Sequence, residues 1–134
     1  MMLGIDYGTK RVGLAVADEE TRFARPLEVI DVTKQDAIER VAELVSELDV
    51  RLIVVGKPLG LSGKEGPAVA AQSVFLAELR DAVTVDVREH DERLTTVVAD
   101  QQMRAAGLKR DAQKQLRDAI AAQVMLQGYL DATR

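Results

Sequence analysis

Residues 51–55 read Arg51-Leu52-Ile53-Val54-Val55, an unbroken apolar run after the arginine that ends at Gly56. A strand with one wet face alternates apolar and polar residues; a strand without that alternation is covered on both faces. Helical patterns flank it. Between Lys34 and Leu48, Ala37, Val41, Leu44 and Leu48 recur at four- and three-residue steps, with Glu39, Arg40, Glu43 and Glu47 opposite; that spacing is an amphipathic helix. After Gly56 comes a glycine-rich stretch, 57–66, and then Pro67, a residue suited to the first helical turn, opening a helix to about Arg80 that buries Ala71, Phe75 and Leu79. A strand between two helices implies parallel pairing and a sheet sandwiched between helical layers.

The rest of the chain extends this pattern. Residues 2–6, 12–17 and 27–32 read as three close strands, most simply an antiparallel meander with Gly8 in its first turn. Residues 83–87 read as a fifth strand, followed by a helix reaching Ala106 with Gly107 as its stop, and a last helix over 112–131 carrying Leu116, Ala119, Ile120, Gln123, Leu126 and Leu130 near one face. The expected fold is α/β: a mixed five-stranded sheet, meander plus parallel strands, flanked by helices. At 134 residues it is expected to form one domain, residues 1–134.

Composition narrows the chemistry. With 3% aromatic residues, the core must be built from Val, Leu, Ile and Ala. There is no cysteine, which excludes disulfides and thiolate metal sites and suits a reducing cytoplasm. No apolar stretch approaches a membrane span of about 20 residues, and the N-terminus has no leader pattern. Net charge is −4, more acidic than most nucleic-acid-binding domains. Cations nevertheless cluster at Lys10-Arg11, at Lys57 and Lys64, and at Arg104, Lys109, Arg110, Lys114 and Arg117.

Three acidic positions stand where elements meet loops or on a core-facing helix surface. Asp6 ends the first strand and is followed by Gly8, Thr9, Lys10 and Arg11. A lone buried carboxylate is costly, so it needs a basic partner, a hydrogen-bonded turn or a metal. Gly8 lets a backbone or a phosphate approach, and Thr9, Lys10 and Arg11 can contact an anion. Asp91-Glu92 follows the fifth strand, and ligands of an open sheet gather beyond the carboxyl ends of its parallel strands. Asp118 precedes Ala119, Ala121 and Ala122, small residues that let a helix approach the sheet. Together these acids could hold one or two hard divalent cations, since converging like charges must be neutralised. Singly, each has an ordinary alternative: an ion pair with Lys10 or Arg11, a solvated turn, a surface helix residue.

Stretch 57–66 does not match a P-loop, because Glu65 stands where Ser or Thr is required after Gly63-Lys64. It suits either a lid whose Lys57 and Lys64 touch phosphates or a plain surface loop. His90 can shuttle a proton or merely hydrogen-bond its neighbours. Thr95 and Thr96 suit a helix cap, and a helix N-terminus favours phosphate in either case.

Four stretches carry a family resemblance: residues 4–13, Val55-Gly56-Lys57-Pro58 with 63–67, Asp91-Glu92-Arg93-Leu94-Thr95-Thr96, and Asp118-Ala119-Ile120-Ala121-Ala122 through 126–130. In these the chain resembles the bacterial YqgF/RuvX family, described as Holliday-junction-resolvase-like proteins and candidate pre-16S rRNA nucleases. The resemblance implies an RNase H-like fold and a nuclease that hydrolyses phosphodiesters with Mg²⁺ or Mn²⁺. It also implies that Asp6, Glu92 (or Asp91) and Asp118 are the metal-binding and catalytic acids. Lys10, Arg11, Lys57 and Arg93 would contact phosphate, with Gly8, Thr9, Lys64 and Thr95 completing the substrate surface. The resolvases carry their second acid at the end of the fourth strand. Here that strand ends in Val54-Val55-Gly56-Lys57, so the second carboxylate must come from the fifth.

The implied partners are precursor rRNA, branched or single-stranded DNA, and the ribosome, with no membrane and either a monomer or a homodimer. Two other readings stand beside this one. One is a non-catalytic RNA- or ribosome-binding module. The other is an ATP-handling protein of the actin–Hsp70 type, which shares the Gly-Ile-Asp-x-Gly-Thr opening but needs two such domains.

Overall fold

The computed structural model describes residues 1–57, 67–91 and 110–133. Its strands are β1 (Met2–Tyr7), β2 (Arg11–Ala17), β3 (Ala24–Asp31), β4 (Leu52–Lys57) and β5 (Asp86–Asp91); its helices are α1 (Ala37–Glu47), α2 (Pro67–Ala82) and α3 (Arg110–Ala132). One five-stranded sheet runs in the order β3-β2-β1-β4-β5. β1–β2 and β2–β3 are antiparallel; β1–β4 and β4–β5 are parallel. The mixed sheet and its helical layers are as the sequence implies, and the fold is RNase H-like.

Alternation sorts each strand between two cores. Leu3, Ile5, Val12, Leu14, Val16, Ile30, Ile53 and Val55 face α1 and α2, where Val41, Leu44, Phe75, Leu76 and Leu79 meet them. On the other face Ala15, Ala17 and Val54 meet Ala122, Met125, Leu126, Tyr129 and Leu130 of α3. β4 is thus covered on both sides, as its unbroken apolar run demands. Asp36 caps α1, accepting from the backbone N–H groups of Ile38 (2.9 Å) and Glu39 (3.2 Å), so the helix starts at Ala37, with the first residue of its apolar period. Pro26 sits in β3, an edge strand, where its missing N–H disturbs the ladder least.

Two expectations require correction. β5 is not 83–87 but Asp86–Asp91: the alternating Val83, Val85 and Val87 pack on the core before and into the strand, while pairing with β4 begins only at Leu52↔Asp86. Arg88 and His90 are therefore strand residues. On α3, Leu116 is exposed and Gln123 is half-buried, its side-chain amide donating to the Ala24 carbonyl (3.1 Å); Met125 and Tyr129 occupy the core positions instead. The helix expected to reach Ala106 and the stretch 58–66 lie outside the described residues.

Candidate active site at the carboxyl end of β1

β1 delivers Asp6 to the carboxyl end of the sheet. Asp6 is two residues beyond Gly4, and a Cβ on Gly4 would stand 2.8 Å from Leu126 Cβ, so this side of β1 faces α3. Asp6 is half-buried there and pairs directly with Gly13 of β2. Gly13 is the pivot of the site. A Cβ on Gly13 would overlap the Asp118 carbonyl and lie 2.9 Å from the Ala119 nitrogen. The absence of that one side chain lets the α3 backbone rest on β2 at Asp118. Asp6 and Asp118 come from opposite ends of the chain, yet each is an immediate neighbour of Gly13.

Arg11 stands two residues before Gly13, in phase with it. Its Nε donates to Asp118 Oδ2 at 2.7 Å. The Arg11 side chain is 50% exposed and that of Asp118 23%. The turn between β1 and β2 is tight: a Cβ on Gly8 would lie 2.5 Å from the Arg11 carbonyl oxygen. Thr9 and Lys10 on this turn are exposed. Asp31, across the ladder from Arg11, is held below the usual carboxylate range by hydrogen bonds from the Thr33 hydroxyl and backbone N–H, with Lys34 and Arg11 adding positive potential.

The parallel strands bring the second acidic segment to the same edge. Ile5 pairs with Val55 and Val55 with Glu89, so Asp6, Gly56 and His90 come next on their strands. At about 4.8 Å per strand, the β1 and β5 backbones are about 10 Å apart at this level. Gly56 pairs with His90 and Lys57 with Asp91, the last residue of β5. For Lys57 and Asp91 only the backbone position is described. Glu92, Lys64, Arg93 and Thr95 lie outside the described residues. Among the described residues no group of three acidic, histidine or cysteine side chains is placed to hold a metal.

Supporting contacts escaped the sequence reading. The carboxyl end of β4 is tied to α2 by buried Gln72, whose Nε2 donates to the Gly56 carbonyl at 2.6 Å. Arg88 donates to the Tyr129 hydroxyl at 2.8 Å, and the His90 ring meets Tyr129 edge-on at 5.7 Å between centroids. His90 is thus packed against α3. Gly13 belongs to the 4–13 motif, but its role depends on which helix returns to β2, and no local signal states that.

The family model described as RuvX, Holliday junction resolvase, matches residues 1–132. A Chloroflexus aggregans protein named provisionally as a pre-16S rRNA nuclease is 42% identical over 134 residues, covering 99% of this chain and 94% of that protein. A Bacillus thuringiensis (strain Al Hakam) protein with the same name is 41% identical, covering 98% of both. Among solved structures, T. thermophilus RuvC in complex with a Holliday junction substrate superposes with a TM-score of 0.61 at 20% identity, over 98% of this chain and 94% of RuvC. The fowlpox virus resolvase in complex with Holliday junction DNA gives 0.57 at 14% identity, over 98% and 97%. These two likenesses concern the fold.

Proposed function

The chain belongs to the RuvX family, and from that premise we propose that it is a divalent-metal-dependent nuclease acting on precursor 16S rRNA. The observation that supports this most is the meeting of Asp6 and Asp118 at Gly13, at the carboxyl end of the parallel strands. A carboxylate on a rigid strand and a second on the helix that rests against that sheet are hard oxygen donors suited to Mg²⁺ or Mn²⁺. The Arg11 guanidinium on Asp118 supports the reading: this carboxylate already takes a cationic partner, and the donor type suits such an ion.

We assign the third ligand to Glu92, which follows in sequence step from Arg88 and His90, with Asp91 as the alternative tested below. Mg²⁺ or Mn²⁺ held by these acids would supply the Lewis acidity for water activation and for stabilising the leaving oxygen. The chain's own part is positional. Asp6 is fixed by β1 and Asp118 by the α3 backbone against Gly13. Gly8 keeps the turn low enough for a phosphate to approach. Thr9 and Lys10 on this turn and Arg11 at the start of β2, with Lys57, Lys64, Arg93 and Thr95, are the proposed contacts to the sugar–phosphate backbone. Three of the four aromatic side chains are not free to stack: Tyr7 lies on Phe75 (4.6 Å between centroids) and Tyr129 is buried. Recognition would then rest on backbone and shape rather than base stacking.

We place the enzyme in the cytoplasm as a single domain over 1–134; no helix among the described residues is long and apolar enough to cross a membrane. The test is a cleavage panel of precursor 16S rRNA, single-stranded DNA and a four-way junction, each with Mg²⁺ and Mn²⁺, beside Asp6→Asn. Metal-dependent cleavage of the rRNA that Asp6→Asn abolishes without unfolding supports the reading. An Asn variant that cuts as fast as wild type refutes the site, and preference for the junction refutes the substrate.

A further inference from the structure

Two arginine–carboxylate pairs in this protein are built differently. Arg40 grips Glu28 with two prongs, Nε at 2.9 Å and Nη2 at 2.8 Å, and reaches Glu43 with Nη1 at 3.1 Å. Its side chain is 24% exposed. That is the fork geometry of a fixed structural pair. Arg11 meets Asp118 through Nε to Oδ2, and its side chain is 50% exposed. The partners differ in freedom too. The Asp118 backbone is pressed against Gly13 and cannot withdraw, whereas Arg11 can swing toward solvent without leaving a hole in either core.

We propose that Arg11 is a displaceable counter-cation: it neutralises Asp118 in the metal-free protein and, once released from Asp118, is delivered to a substrate phosphate. This deepens the metal-nuclease reading and rests on it. The physical need is local. Asp118 is three-quarters shielded from water, and a shielded carboxylate requires positive charge beside it before any ion binds. Arg11 supplies it from a position two residues from the pivot glycine. Asp31, directly across the ladder, keeps a second carboxylate beside Arg11. Released from Asp118, the guanidinium therefore stays at the rim of the site, where a phosphate bound over the Gly8 turn would meet it. One side chain would thus serve two anions in turn, and metal uptake and substrate grip would be coupled through it.

A counter-cation that must leave competes with the metal, so its removal has effects of opposite sign. Breaking a partly exposed pair is worth about 0.2–1 kcal/mol, a change of up to about fivefold. The experiment is Mn²⁺ titration by calorimetry without nucleic acid, followed by binding of a single-stranded RNA, on wild type, Arg11→Ala, Arg11→Gln and Lys10→Ala. Lys10→Ala removes the adjacent charge from the same turn and corrects for general electrostatics. Thermal melts establish that each variant is folded.

The expected result is that both Arg11 variants bind Mn²⁺ about two- to fivefold more tightly, more so than Lys10→Ala, and bind RNA more weakly. Mn²⁺ affinity that is unchanged or weaker in the Arg11 variants, or raised equally by Lys10→Ala, overturns the inference and leaves the nuclease reading standing. No Mn²⁺ binding by wild type removes the metal reading and this inference with it.

Discussion

Replacing Gly13 with alanine tests the architecture of the site with one methyl group. The new Cβ would fall inside the van der Waals envelope of the Asp118 carbonyl carbon and oxygen and 2.9 Å from the Ala119 nitrogen. All three are backbone atoms of a helix 23 residues long, so no side chain can rotate out of the way. Ordinary contact distances require α3 to retreat from β2 by about 1 Å or more. Overpacking of this kind costs about 1–3 kcal/mol, and a backbone-on-backbone clash belongs at the upper end. Against a typical total of about 5–15 kcal/mol, the variant still folds but melts roughly 10 °C lower. The same retreat carries Asp118 away from Asp6, and a misplacement of about 1 Å can cost about 100-fold in rate.

Gly4→Ala is the matched control. Its Cβ would meet Leu126 Cβ at 2.8 Å, Leu126 Cδ2 at 3.2 Å and the Ala122 carbonyl oxygen at 3.3 Å; a leucine rotamer relieves only the Cδ2 contact, but the overlap is smaller than at Gly13 and lies farther from the acids. Denaturant unfolding and Mn²⁺ titration on both variants decide the matter. If Gly13→Ala keeps the wild-type midpoint and metal affinity, or is milder than Gly4→Ala, Gly13 is not what sets the approach of α3.

Three further outcomes follow from particular contacts, and a fourth from the proposed third ligand. Gly128→Ala should stabilise by about 0.5–1 kcal/mol in urea unfolding, since it removes a mid-helix glycine and its Cβ meets His90 Nε2 at an ordinary 3.6 Å. Gln72→Ala strands the buried Gly56 carbonyl and should cost about 1–3 kcal/mol by the same assay. The Asp31 carboxyl should titrate below its ordinary 3.8 by NMR, with Thr33→Val moving it back up. Because the folded value is the depressed one, the Thr33 contribution to stability is complete above pH 3.8 and fades as pH falls through the folded value, so wild type and Thr33→Val should converge in strong acid. Glu92→Gln should abolish metal-dependent cleavage while Asp91→Asn retains most of it; the reverse result assigns the ligand to Asp91.

The sequence was most legible where a single period governs a segment. The apolar run at 52–55 required a strand covered on both faces, and 37–48 required an amphipathic helix; both follow from burial within one element. It was least legible where the answer depends on a partner. Val83, Val85 and Val87 carry a strand's alternation, yet pairing waits for Asp86, because β5 can begin only where β4 offers a partner. Along α3 the apolar residues mark more than one face, and only the sheet decides that Met125 and Tyr129 go in while Leu116 stays out. The site divides the same way. Asp6 announces itself as a charge at the end of an apolar strand, and Asp118 as an acid leading a run of alanines. That they share a neighbour could not be read locally, because the link is the missing side chain of Gly13, which matters only once α3 lies across β2. Arg11 shows the consequence. Near Asp6 in sequence, it is with Lys10 one of two candidate ion-pair partners for that acid; alternation places it in phase with Gly13, and there its Nε meets Asp118, 107 residues away.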